Sequence, residues 1–239
     1  MEKLPFLMFK EHSSLEYGLL ITEKGSYKGA QRDITYTSVP GRSGDLMTDN
    51  GRYKNVKIPY KLALLNTTAW DFDELARLIR GWLLAEQGYF PLWDSYDGKY
   101  YRLASYTNEV DIEQELRSVG KLSLSFNCKP FKYSFEGQRT VEMTAAGTLY
   151  NAEQYESKPY IKVVGSGTIT LAINNSSVTL SSVDEYIELD SEMLNAYKGT
   201  AAANNQMSGD FPVLVPGKNN ISWTGNVTRL EIVPRWCCL

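Results

Sequence analysis

Histidine is what this sequence has least of: His12 is the only one in 239 residues. A Ser-His-Asp or Cys-His nucleophile would have to be built on that one imidazole, and no Gly-x-Ser-x-Gly elbow accompanies it. His12 is therefore expected at the surface or in an interface. Cysteine is nearly as scarce. Cys128, Cys237 and Cys238 form an odd, sparse set. That argues against a disulfide framework and gives no zinc-ligand spacing. Long apolar runs are missing too. No stretch reaches the roughly 18 apolar residues of a membrane span. The start, Met1 to Phe6, has no apolar signal core. The expectation is synthesis in the cytoplasm without a secretory signal, with any export occurring as part of a larger assembly. An excess of positive charge is also absent. Net charge is −3, the first 134 residues are near neutral and the rest are acidic. No basic stripe exists to neutralise phosphates, which argues against sequence-specific nucleic-acid binding.

What is present describes a globular protein: 43% hydrophobic and 22% charged residues. The length suits one large domain or two of about 100 residues. Aromatics are plentiful, with 16 Tyr and 5 Trp. Their apolar bodies and polar tips suit wet interfaces as well as cores, so they point weakly to assembly.

Local patterns predict a first domain over 1–134 that is mainly β with one helix. Leu19–Ile21 and Ile34–Val39 read as strands. Pro40-Gly41-Arg42-Ser43-Gly44-Asp45-Leu46 reads as a tight turn, with a new strand at Val56–Leu64. Thr68 is a candidate helix N-cap with Asp71 in a capping-box position. Phe72, Leu75, Ile79, Trp82 and Leu83 follow at helical spacing, and Gly88 ends the run. Tyr89–Trp93 and Tyr100–Ala104 flank Asp97-Gly98, a hairpin signal. Glu109–Glu115 and Lys121–Cys128 read as another pair around Ser118-Val119-Gly120. In the second, Leu122, Leu124 and Phe126 alternate with Ser123, Ser125 and Asn127. The domain is expected to end near Tyr133.

Residues 134–157 are polar and read as a linker holding the first strand of a second domain over 135–239. Seven short β-runs follow: Tyr160–Val164, Thr168–Ile173, Ser177–Leu180, Tyr186–Leu189, Phe211–Val215, Asn219–Trp223 and Arg229–Val233. Turn residues separate them, including Gly165-Ser166-Gly167, Asn174-Asn175, Pro216-Gly217-Lys218 and Gly225-Asn226. That texture predicts an antiparallel β-sandwich.

Four patterns bear on chemistry. Asp184, Glu185, Glu188 and Asp190 supply acidic pairs of the kind a glycosidase needs, and Glu188 and Asp190 share a strand face. A solvated face is the plainer reading. Asp190 with Asp210 offers carboxylates to a cation, but no EF-hand loop accompanies them. Gly165-Ser166-Gly167 lacks the third Gly and the following helix of a dinucleotide loop. Tyr197, Trp223 and Trp236 are candidate sugar-stacking aromatics, with Trp223 also fitting the inward side of Ile221-Ser222-Trp223. No cofactor or metal is expected.

Residue order carries a resemblance. Val39-Pro40-Gly41-Arg42-Ser43-Gly44-Asp45-Leu46 before Tyr53-Lys54-Asn55-Val56 is similar to the N-terminal signature of siphophage distal tail proteins. Leu124-Ser125-Phe126-Asn127-Cys128-Lys129-Pro130-Phe131 resembles the motif that closes their first domain. Lys158–Val163, Gly165-Ser166-Gly167, Ile187–Glu192, Asp210–Asn219 and Val233–Trp236 resemble their C-terminal domain. The resemblance implies a homohexameric ring at the virion tail tip, assembled in the host cytoplasm. DNA would pass through the ring unread. The second domain would be a galectin-like or carbohydrate-module-like sandwich. Implied partners are the tail tube protein, the tape measure protein, a tail-associated hub or fibre protein and sometimes a receptor-binding protein. Pro40, Gly41, Arg42, Ser43, Gly44 and Asp45 are the candidate ring-interface or lumen loop. A carbohydrate-binding module contacting the host cell wall is the alternative. The His/Asn/Arg/Trp set of galectins is not found in the second half.

Overall fold

Residues 4–26, 29–65, 71–107 and 120–239 are described by the structure, a computed structural model. The chain divides into two compact units, Met1–Lys132 with Leu239, and Tyr133–Cys238. The predicted strand Glu109–Glu115 and the cap at Thr68 lie outside the described residues.

The first unit is built on β1 (Leu7–Phe9), β2 (His12–Ser13), β3 (Leu19–Lys24), β4 (Arg32–Thr37), β5 (Leu46–Tyr53), β6 (Val56–Leu64), α1 (Phe72–Leu84), β7 (Phe90–Asp94), β8 (Tyr100–Ser105) and β9 (Lys121–Ser134). Most strands join one sheet in the order β2-β1-β7-β8-β9-β6-β3. Alternation fixes its buried face. In β6, Val56, Ile58, Tyr60, Leu62 and Leu64 are buried. The first four lie opposite Cys128, Phe126, Leu124 and Leu122 of β9 in register, and Leu64 lies opposite Leu19 of β3. A slip by one residue would turn every one of these side chains to solvent, so the pattern specifies the pairing.

Helix α1 covers that face with Leu75, Ala76, Ile79, Trp82 and Leu83. Trp82 donates its indole N–H to the Phe9 carbonyl at 2.8 Å and stacks on Tyr17 with ring centres 4.8 Å apart. The Lys10 ammonium donates to the Glu86 carbonyl just past the helix end, where a cation also meets the negative end of the helix dipole. Among the described residues the N-cap is Asp71. The Asp71 carboxylate accepts from the backbone N–H groups of Asp73 and Glu74. Asp71→Ala should therefore cost about 1 kcal/mol in a denaturant melt, and an unchanged midpoint would show the cap to lie elsewhere.

The second unit holds β10 (Val141–Met143), β11 (Gly147–Asn151), β12 (Tyr160–Ile173), β13 (Ser176–Val183), β14 (Tyr186–Asp190), β15 (Asn195–Lys198), β16 (Ala201–Ala202), β17 (Met207–Ser208) and β18 (Gly217–Val233), with β19 (Cys237–Cys238) at the end. Two long strands organise it. The first half of β12 pairs with β14, its second half with β13, and β18 runs beside both halves. Register shifts interrupt the β12–β18 ladder at Val164/Gly165 and Ser166/Thr170. Bulges of this kind bend a strand and increase its twist. One core takes side chains from both halves: Ile161 and Val163 with Ile169 and Leu171, and Ile221 with Leu230 and Ile232. The result is an antiparallel β-sandwich, and the chain as a whole is mainly β, with one α-helix among its described residues.

Several local expectations are corrected. Gly165-Ser166-Gly167 is not a turn between strands but a bulge inside β12. Gly225-Asn226 likewise lies inside β18, so four predicted runs are two strands. Glycine at these places signals close backbone approach as readily as chain reversal. Phe211–Val215 is not a strand; its ladder contact is one isolated bridge, Ser157 with Leu214. The stretch 134–157 is no linker. It contains β10 and β11, both paired to β18. Its polar composition reflects strands with one solvated face, not the absence of structure.

Candidate functional site

Strands β4 and β5 form a two-stranded sheet of their own. Thr37 lies opposite Leu46, Tyr36 opposite Met47, and Thr35 opposite Thr48. The side chains of a facing pair share one face, so Tyr36 and Met47 stand together. Both are open to solvent, at 62% and 59% exposure. Val39 and Leu46 are exposed beside them. Every residue of the loop Pro40, Gly41, Arg42, Ser43, Gly44 and Asp45 is exposed. Gly41 and Gly44 take positive φ values of 80° and 85°, a region glycine enters without steric cost.

Polar contacts stiffen the ribbon without burying it. Arg32 meets Asp49 at 2.8 Å and Arg52 meets Asp33 at 2.7 Å. Hydrogen bonding to the Arg32 guanidinium holds the Asp49 carboxyl below its ordinary range, and Arg52 does the same to Asp33. Asn50 donates to the Thr35 hydroxyl. At the base, the Lys54 N–H donates to the Gln31 carbonyl, and Tyr53 meets Phe131 edge to face at 5.7 Å.

A lone two-stranded ribbon in water is marginal. This one shows Tyr36, Val39, Leu46 and Met47 to solvent. Sequence reading found the loop and β4 but missed β5. The strand Leu46–Tyr53 buries neither face, so it leaves no apolar alternation, and its Asn-Gly pair reads as a turn.

The other sequence candidates have structural partners. His12 is exposed and its Nδ1 lies 2.9 Å from Glu16. Glu188 is held on the outer face of β14: Tyr160 donates to one oxygen at 2.5 Å and the Gly199 N–H to the other. Burial together with that bond to Glu188 pushes the Tyr160 phenol well above its usual range. Asp190 is buried, and both its oxygens accept from Arg235. Both carboxylates are thus engaged in contacts within the second unit. Tyr197 lies opposite Glu188 on the outer face. Trp223 and Trp236 instead pack against the second core, so the three aromatics are not brought together. Asp184 and Glu185 are exposed partners of Lys198.

Burial raises the thiols of Cys128 and Cys237 to about 12, so neither is a poised nucleophile. Among the described residues no group of three or more His, Cys, Asp or Glu side chains is arranged to hold a metal ion. Asp94 of the first unit is likewise paired: it accepts from Tyr60 and Lys24, each at 2.7 Å. No helix among the described residues is long and apolar enough to cross a membrane.

The first unit is thus a sheet with one covering helix and an exposed ribbon, and the second an antiparallel sandwich. Residues 14–128 match the family described as phage tail protein RIFT-related domain. More particularly, the chain is similar in fold to the Dit protein (gp 19.1) of phage SPP1, described as a paradigm of hub adsorption apparatus in Gram-positive infecting phages. The two share 14% identity with a TM-score of 0.74, over 99% of this chain and 100% of that one. None of the curated proteins compared matches the chain. The family match lies within the first unit, and the likeness to the Dit protein is one of fold across both units.

Proposed function

We propose that this chain is a ring subunit of the tail tip and works by shape, making and breaking no covalent bond. Its first unit tiles a closed homohexamer that joins the tail tube and tape measure protein to the hub or fibre protein. The lumen passes DNA without reading it, consistent with the near-neutral charge of the first 134 residues. The second unit is a sandwich available to receptor-binding or host-contacting partners.

The observation that carries this reading is the β4–β5 ribbon. Tyr36, Val39, Leu46 and Met47 are exposed, and Tyr36 and Met47 are more than half so. Ring closure needs a patch on one copy that meets a different patch on the next, and a projecting ribbon supplies one of the two. Mass photometry of the full chain should show a hexamer. The double variant Tyr36→Asp with Met47→Asp should weaken assembly about thirtyfold or more, as loss of a central aromatic anchor does. A wild-type chain that stays monomeric at every concentration overturns the reading.

A further inference from the structure

Asn50-Gly51 is the one Asn-Gly pair in the sequence, and the fold gives it no hairpin turn to make. It lies inside β5, where the ladder with β4 loses register. Arg32 sits opposite Tyr53, but Ile34 sits opposite Asp49. Asn50, Gly51 and Arg52 therefore bulge out against Asp33 alone, and a bulge takes its extra residues out of the ladder. The Gly51 N–H donates to the Asp49 carboxylate at 2.9 Å instead of to β4. The Asn50 side-chain amide donates to the Thr35 hydroxyl at 3.1 Å. Both hydrogen bonds are exposed to solvent.

These two groups react when they meet. The nitrogen of the peptide after an asparagine reaches the side-chain carbonyl carbon by closing a five-membered ring. Closure needs the two atoms held at attack distance, and a side chain on the following residue crowds the approach. Gly51 has none, and no other atom lies within 4 Å of where one would begin. The ribbon around it buries little: every residue from Leu46 to Arg52 is exposed. Segments with few buried contacts open locally at low cost.

We propose that Asn50 is a spontaneous modification site at which the folded protein turns a neutral amide into a carboxylate. The Gly51 nitrogen gives its proton to solvent hydroxide and attacks Asn50 Cγ. The N–Cγ bond forms, the Cγ–Nδ2 bond breaks, and the amide leaves as ammonia after taking a proton from water. Water then opens the succinimide at either carbonyl. The product is aspartate at position 50, or isoaspartate with the main chain routed through the side chain. Water is the only co-reactant, and loss of ammonia makes the step one-way. Each copy gains a negative charge close to Asp49 and Asp33, whose carboxylates already draw on Arg32 and Arg52. The isoaspartate form also lengthens the main chain by one carbon at the bulge. Ribbon charge and geometry thus change with the age of the molecule.

The test is to age the full chain, folded, in mildly alkaline buffer and follow each asparagine by peptide mass spectrometry. Asn175 is the internal comparator. It is exposed in the turn between β12 and β13, but Ser176 follows it and crowds the attacking nitrogen. Position 50 should convert about tenfold faster than position 175, and Gly51→Ala should slow it about tenfold. Thr35→Val releases the Asn50 amide and should speed conversion about threefold, the scale of one exposed hydrogen bond. Melting curves taken before ageing show whether each variant folds. If Gly51→Ala does not, the wild-type comparison and Thr35→Val decide. Conversion at position 50 no faster than at position 175 overturns the proposal, as does a folded Gly51→Ala that reacts at the wild-type rate. A rate untouched by Thr35→Val overturns reaction from the folded ribbon.

Discussion

Arg235→Ala is expected to destabilise the second unit by about 3 kcal/mol, the scale of stripping one partner from a buried ion pair. Asp190 is 4% exposed. Its two oxygens accept from the two terminal nitrogens of Arg235 at 2.8 and 2.9 Å. One of them also accepts from the backbone N–H groups of Glu192 and Met193, both at 3.0 Å. The pair fastens the last residues of the chain to the sandwich. Ser157 donates to the Pro234 carbonyl at 2.7 Å, and Arg235 donates its N–H to Gly137. Removing the guanidinium leaves a buried carboxylate with only two backbone donors. Asp190→Asn should cost a similar amount, and the double variant less than the sum of the singles, because the two changes remove one shared interaction.

The same clamp sets an acid limit. Burial pushes the Asp190 carboxyl up, but the bonds from Arg235 and the two backbone N–H groups outweigh it and hold the pKa below its ordinary value. A carboxyl whose folded pKa is depressed contributes stability that is fully present above its unfolded value, about 4. That contribution is lost as pH falls through the folded value. Urea melts from pH 7 down to pH 2 should show wild type losing its advantage over Arg235→Ala only below about pH 4. Parallel loss in the two proteins over that range would sink the assignment.

Gly165→Ala should be at least as damaging, at about 3 kcal/mol or more, because it forces backbone apart rather than a flexible side chain. A methyl group at Gly165 would collide with the Asn226 carbonyl oxygen and lie 3.1 Å from the Val227 Cα. Gly225 is the reciprocal case: its missing side chain would meet the Thr168 carbonyl and lie 3.1 Å from the Ile169 Cα. The two long strands thus cross the bulge with a glycine on each side of the contact. Gly167 is the internal control. It has φ of +79° but nothing within 4 Å of its absent side chain, so Gly167→Ala should cost only about 1 kcal/mol of backbone strain. Equal melting temperatures for the Gly165 and Gly167 variants would refute the close-approach argument.

The sequence by itself determined the elements whose faces differ in solvent exposure. Helix α1 and strands β6 and β9 each have a buried side, so apolar residues recur at the period of the backbone and can be counted. The mainly β character follows from the same signal, and the scarcity of His and Cys is read from composition alone. Tertiary structure decided the rest. Strand β5 has no buried face and therefore no period, although it forms half of the proposed docking ribbon. The bulges in β12 and β18 use the same glycines that mark turns, and only the partner strand shows whether such a glycine reverses the chain or lets two backbones touch. Asp190 and Arg235 are 45 residues apart, and no local pattern relates them. Trp223 and Trp236 show why residue type alone could not identify a sugar platform: an indole stacks on a ligand or on a core by the same apolar surface, and only packing decides which.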